Sequence, residues 1–205
     1  MKHQVVRLLL LVVMLYAGPA RADAAGELID EMNLARTNPG AYVEFLEEWK
    51  ERYTDRGVWL SDSLFLRTHE DVRSVDEAIE YMKKRSPMEP LTRSEGLDMA
   101  AKEMVGSQGP SGQTGHRSPD GLRPADRTSH YGNWRKVVGE NIVYGLSEPR
   151  NIVIMWIVDD GVPGREHRDN IFNKDFKVAG AALGPHKAWR VMCVVDFSGG
   201  FDMSK

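Results

Sequence analysis

Two histidines and two carboxylates in the C-terminal half are of the types needed to hold a metal ion or to move a proton. His116 sits in Thr114-Gly115-His116-Arg117, and Glu140, Asp159 and His167 fall within the stretch 139–172. Neutral imidazole suits zinc, and carboxylates orient imidazole rings or add oxygen ligands. The spacing is not a compact zinc motif such as H-E-x-x-H, so it does not by itself assign a metal. Glu140 stands inside an otherwise apolar, strand-like run, VVGENIVY, where an unpaired buried carboxylate would be costly. Asp159 follows Trp156 by three residues, which predicts that the two share one side of a helix. The four residues could meet in one cleft.

Other reactive side chains read as structural. Ser118, two residues after His116, is a conceivable nucleophile, but Ser-Pro-Asp-Gly is a turn sequence. The single cysteine, Cys193, lies within Val191–Val195, an apolar run where a thiol behaves as a small hydrophobe and lacks the electropositive setting of a catalytic one. His69 lies in a stretch with no partner pattern and is expected at the surface.

The elements that must position the cleft follow from periodicity. Residues 26–37 carry Leu28, Met32 and Ala35 at helical spacing. Asn38-Pro39-Gly40 breaks that helix, and Pro39 suits the first turn of a second one, with Tyr42, Phe45, Leu46 and Trp49 on one face. Residues 52–76 show no sustained period and are expected to form an irregular insertion or long loop. Val75 to Lys84 is again helical. Ser94 is a good N-cap for a helix carrying Leu97, Ala101 and Met104, which Gly106 and Gly109-Pro110 are expected to close. The glycine- and serine-rich residues 106–136 then read as one long connection holding His116, and connections of this length are usually functional or disordered. Residues 137–144 predict a short strand interrupted at Gly-Glu-Asn. Ile152 to Val158 predict a buried helix, and the apolar runs Val178–Leu183 and Val191–Phe197 predict a β-hairpin. Helices first, then strands mixed with a buried helix, make an α+β layered domain with a short antiparallel sheet.

The first 22 residues look separate from that domain. Lys2, His3 and Arg7 form a positive n-region, Leu8 to Tyr16 is an apolar run, and Ala20-Arg21-Ala22 is a small-residue cleavage site. Nine apolar residues are too few to span a bilayer, which takes about 20. Residues 1–22 are thus expected to be a signal peptide, leaving a single domain over 23–205, exported to a periplasm or beyond the cell, with no transmembrane segment after cleavage. Loss of the leader takes three basic residues from the 27 and leaves 30 acidic ones in place. So acidic a chain does not fit a phosphate-tracking surface, and nucleic acid is not an expected partner.

Gly139-Glu140-Asn141-Ile142, Trp156-x-x-Asp159 and His167-Arg168-x-Asn170-Ile171, in that order, resemble the CAP superfamily (the SCP domain of cysteine-rich secretory, antigen 5 and pathogenesis-related proteins). The resemblance extends to Asn33-x-Ala35-Arg36, Pro39, Thr114-Gly115-His116 and the closing Val195-Asp196-Phe197 and Gly199-Gly200-Phe201. It implies an α-β-α sandwich with a surface cleft of two histidines and two acids, here His116, Glu140, Asp159 and His167. It also implies that His116 and His167 can ligate zinc or another divalent ion. The chain departs from the family at three points. The acid after the tryptophan is commonly Glu, and Asp159 is one methylene shorter, with Asp160 beside it as a substitute. The residue before the second histidine is commonly Gly and here is Glu166. The disulfides of the animal and plant members are missing, as in a bacterial type.

Three functions are compatible with these residues. One is a non-enzymatic exported protein that binds a lipid, another ligand or a protein partner, with a divalent ion in the cleft. It is favoured because no nucleophile, base and orienting group form a complete set. The alternative is a metal-dependent hydrolase, most plausibly a peptidase, with Glu140 as general base. The third is a tetrad of hydrogen bonds that only ties the long loop down.

Overall fold

The computed structural model describes residues 23–61 and 64–203; the expected signal peptide, residues 1–22, lies outside them. In chain order the elements are α1 (Ala24–Thr37), α2 (Pro39–Lys50), β1 (Tyr53–Thr54), β2 (Gly57–Ser61), β3 (Leu64–Arg67), α3 (Arg73–Lys83), β4 (Thr92–Arg93) and α4 (Glu95–Ser111). They continue with α5 (Pro124–Tyr131), β5 (Asn133–Trp134), β6 (Val138–Tyr144), α6 (Pro149–Val158), α7 (Glu166–Ile171), β7 (Val178–His186), β8 (Arg190–Ser198) and β9 (Phe201–Asp202). The central sheet runs β4-β7-β8-β6; β4 is parallel to β7 and the other pairs are antiparallel.

The parity of the strands sorts the core into two layers, because successive side chains leave a strand on opposite faces. Ala179, Ala181, Cys193, Val195 and Phe197 pack in one cluster with buried residues of α1, α2, α3 and α6. The alternate residues Ala182, Met192 and Val194, with Ile142 of β6, pack in a second cluster with Ala101, Met104 and Val105 of α4. Helices therefore cover both faces of the sheet, which is the expected α-β-α sandwich. The second contact is unusually close. A Cβ at Gly180 would stand 2.1 Å from the backbone nitrogen of Asp98, so α4 lies on the sheet with no side chain between. Among the described residues no helix is long and apolar enough to cross a membrane.

The opening helices form as their punctuation predicts. Asn38 ends α1, its side chain accepts from the Ala41 amide, and Pro39 begins α2. The closing hairpin also forms, with Ala181 opposite Val195 and Leu183 opposite Cys193.

Three sequence expectations are corrected. Residues 53–67 are not irregular: β1, β2 and β3 make an antiparallel meander, and α3 begins at Arg73 rather than Val75. Strands of two to five residues are too short to show a sustained two-residue alternation, so periodicity misses them. The second correction is that α4 runs past Gly106 and Pro110 to Ser111, ending on Gly112 at φ +75°. Packing overrides the breakers, for a Cβ at Gly109 would lie 2.3 Å from the Pro185 carbonyl oxygen. With α5 inside it, the expected 106–136 connection shrinks accordingly. Third, β6 is continuous through Gly-Glu-Asn, pairing Glu140 with Asp196 and Asn141 with Val195 on β8.

Candidate functional site

The four sequence-selected residues meet where the two helical layers close around β6, the edge strand of the sheet. Parity decides which layer each β6 side chain serves. Glu140 points to the α4 side, where His116 arrives on the loop after α4. Asn141 points to the other side and donates to the carbonyl of His167 at 3.0 Å. Asn170 completes the lock, donating to the Asn141 side chain at 2.8 Å and to the Glu140 carbonyl at 3.3 Å. The Gly-Glu-Asn and His-Arg-x-Asn segments are thus one hydrogen-bonded unit. Asn33 and Arg36 of α1 brace its surroundings: Asn33 exchanges hydrogen bonds with the Leu91 backbone, and buried Arg36 donates to the Ile171 carbonyl at the end of α7.

Each histidine ring is held through Nδ1. His116 Nδ1 lies 2.8 Å from Glu140 Oε1, and His167 Nδ1 lies 2.7 Å from Asp159 Oδ1. An ionised carboxylate only accepts, so both rings donate from Nδ1, and each, when neutral, keeps its lone pair on Nε2. The ring centroids are 6.4 Å apart. Glu140 raises the His116 pKa above its ordinary value, against the opposing effect of burial, and the charge of exposed Glu166 adds a little. Asp159 reaches the cleft despite its shorter side chain because it is not the last helical residue. It adopts the left-handed conformation at the C-cap of α6, φ +53°, and also accepts from the His167 amide at 2.9 Å. Asp160 does not substitute for it; its carboxylate accepts from the amides of His69 and Glu70, both at 2.7 Å. Ser118 is a turn residue as expected, hydrogen-bonded to Asp120 and to the Leu122 amide.

Sequence reasoning missed the residues beneath the tetrad. Arg127 of α5, fully buried, pairs with Glu140 Oε2, so both oxygens of Glu140 are engaged. Asp196, fully buried across the ladder from Glu140, has neither carboxylate oxygen hydrogen-bonded, and the Arg127 Nε is also unpartnered. Burial first, then the charge of Glu140, pushes the Asp196 pKa well above the carboxylate range. A signal for Asp196 existed, since it interrupts the apolar Val191–Phe197 run as Glu140 interrupts β6. Nothing local marks Arg127. Gln108 and Tyr144 hold the His116 loop: Gln108 donates to the Gly115 carbonyl, and the Tyr144 hydroxyl accepts from the Gly115 amide.

Cys193 is free and buried, and burial raises its pKa, in keeping with a structural thiol.

Comparison with known proteins agrees with this arrangement of motifs. The YkwD protein of Bacillus subtilis (strain 168), described as uncharacterized, is 28% identical over 104 residues, which is 51% of this chain and 38% of that protein. The match therefore spans well under half of that relative's length. Among solved structures, an outer surface protein of Borrelia burgdorferi aligns with a TM-score of 0.47 at 23% identity, covering 60% of this chain and 86% of that one. An SCP-domain extracellular protein of Bacillus anthracis aligns with a TM-score of 0.45 at 17% identity, covering 62% and 38%. A family model described as CAP, the cysteine-rich secretory protein family, matches residues 66–197, nearly two thirds of the chain and all four tetrad residues. The chain belongs to the CAP family.

Proposed function

We propose that this is an exported CAP protein that binds a ligand or partner without turning it over, and whose cleft takes a divalent ion, zinc being the best match, between His116 and His167. The observation that carries the reading is the matched anchoring of the rings by buried carboxylates, at 2.8 and 2.7 Å, with no hydrogen bond to either Nε2 among the described residues. Two imidazoles sharing a tetrahedral zinc at about 2.1 Å from each nitrogen have centroids roughly 5–5.5 Å apart, so from the 6.4 Å observed the rings would have to close by about 1 Å on the ion. When bound, the ion would supply positive charge and open coordination positions for an anionic group. Glu140 and Asp159 would fix the rings in the tautomer that ligates. The n-region, apolar run and A-x-A site of residues 1–22 support export.

Turnover is less well supported. Glu140, the general base of the hydrolase alternative, has both oxygens committed, to His116 and Arg127. Ser118 is equally tied into its turn.

The test is zinc titration by calorimetry on the processed protein beside a His116→Ala/His167→Ala variant. Uptake of about one zinc per chain, absent in the variant, is the expected result. No uptake at micromolar zinc, or equal uptake by the variant, would overturn the metal reading.

A further inference from the structure

The tip of the β7–β8 hairpin docks on the loop that carries His116, and a buried histidine sits at the contact. His186 ends β7 and is 3% exposed. Its Nδ1 lies 3.2 Å from the amide nitrogens of Ala188 and Trp189 in its own hairpin turn, and its Nε2 lies 2.8 Å from the carbonyl oxygen of Gln113. A backbone amide only donates and a carbonyl only accepts, so these partners fix the tautomer: Nδ1 accepts and Nε2 carries the proton. One edge of the ring closes the turn. The other reaches across to the chain three residues before His116.

The surrounding contacts tie the same two segments. The Lys187 amide donates to the Gly109 carbonyl at 2.9 Å, so the hairpin tip also meets the last turns of α4 through backbone. The Tyr144 ring makes a T-shaped contact with His186, with centroids 5.1 Å apart. Its hydroxyl accepts from the Gly115 amide at 2.9 Å and donates to the side chain of buried Gln108 at 2.7 Å. Gln108 in turn donates to the Gly115 carbonyl at 2.8 Å. His116 is half-exposed, and a half-exposed ring has little packing to place it, so its position is inherited from the loop backbone. That backbone is held at Gly115 by α4 and β6, and at Gln113 by the hairpin.

We propose that His186 is a positioning residue: its Nε2–H latches the hairpin tip to Gln113 and so holds the His116 ring in register with Glu140. Displacing the hairpin tip then loosens one arm of the cleft and leaves the other in place. The latch acts on the chain whether or not an ion is bound; its effect on ion uptake rests on the metal reading proposed above.

The test separates the two edges of the ring. His186→Asn keeps an acceptor near the place of Nδ1 and is too short to reach Gln113. His186→Gln keeps a donor near the place of Nε2 and gives up the turn acceptor. Amide hydrogen exchange and zinc binding by calorimetry are measured on the processed protein and both variants. His186→Asn should speed exchange of the Gly115 amide about fivefold, roughly the worth of one hydrogen bond. It should weaken zinc by about as much, since the ion must then order the loop it binds. His186→Gln should stay within about twofold of the parent in both readings. Amides of the β6–β8 ladder around Asn141 and Val195 should exchange as in the parent, which distinguishes release of the loop from loss of the fold. Unchanged Gly115 exchange in His186→Asn, equal losses in the two variants, or faster exchange at Gly115 only in step with the ladder would each overturn the proposal. No zinc uptake by the parent, with Gly115 released in His186→Asn alone, would remove the metal reading and leave the latch standing. Equal zinc affinity in all three proteins would keep the metal reading and remove the latch.

Discussion

The two arms of the tetrad reach the same local chemistry by different constructions. In the His167 arm, ring and carboxylate are eight residues apart, and the turn between α6 and α7 sets their geometry. Asp159 accepts from both the ring and the amide of His167, and His167 is only 22% exposed at its side chain. In the His116 arm the ring is 53% exposed at its side chain and comes from a loop. Its position depends on Glu140 of β6, on Arg127 of α5 behind Glu140, and on Gln108 and Tyr144 holding the backbone. A site built by local chain geometry is insensitive to distant substitutions. One assembled from several elements is only as well placed as the buried charges behind it.

The largest expected effect therefore falls behind the His116 arm. Arg127→Met leaves the buried carboxylate of Glu140 beside Asp196 with no guanidinium, and losing one partner of a buried ion pair costs about 3–5 kcal/mol. Urea unfolding would measure it, and a loss under about 1 kcal/mol would erase the contrast between the arms. Next comes Asp159→Ala, expected to cost about 1–2 kcal/mol as the cap of α7 and the ring's acceptor are lost. The same change should weaken zinc uptake 10- to 100-fold, roughly the range for loss of a ring-orienting carboxylate.

Asp196→Asn should act in the opposite direction. Burial and the charge of Glu140 raise the pKa of its carboxyl, and an acid with a raised folded pKa weakens the fold increasingly as pH rises above its unfolded value of about 3.9. The variant should match the parent near pH 4 and exceed it at pH 7–8. A gain of about 1 kcal/mol would raise Tm by roughly 2–4 °C. A Tm difference that does not change with pH would mean that Asp196 is ionised in the fold.

The smallest effect is a pH dependence of the His116 arm. Glu140 raises the His116 pKa, so the pair's contribution to stability is complete below the unfolded histidine value of about 6.5 and fades as pH rises through the raised one. Zinc needs the neutral ring, so its uptake should be lost, as pH falls, from above that ordinary value. An NMR titration placing His116 below about 6.5 would contradict this.

The sequence made the chemistry of the tetrad visible more readily than its supports. Glu140 was conspicuous because a carboxylate interrupts an apolar strand, and the motif order around Trp156 and His167 led to the family and so to the layered fold. The hairpin and opening helices follow from periodicity and caps. Arg127 could not be found that way, since α5 is short, polar and set in a run of turn residues, and only the tertiary fold brings it under Glu140. The β1–β3 meander was hidden for a related reason: strands of only two to five residues leave little periodic trace.

The most direct test of the tetrad as a metal-holding site is the tautomer of each histidine, read from long-range 15N–1H NMR correlations before and after zinc addition. His116 and His167 should carry the proton on Nδ1 and show large Nε2 shifts with zinc. His186 should serve as the internal contrast, because its Nε2 faces the Gln113 carbonyl and its Nδ1 accepts from the Ala188 and Trp189 amides. Protonation of His116 and His167 on Nε2, or zinc shifts that bypass both, would contradict the account.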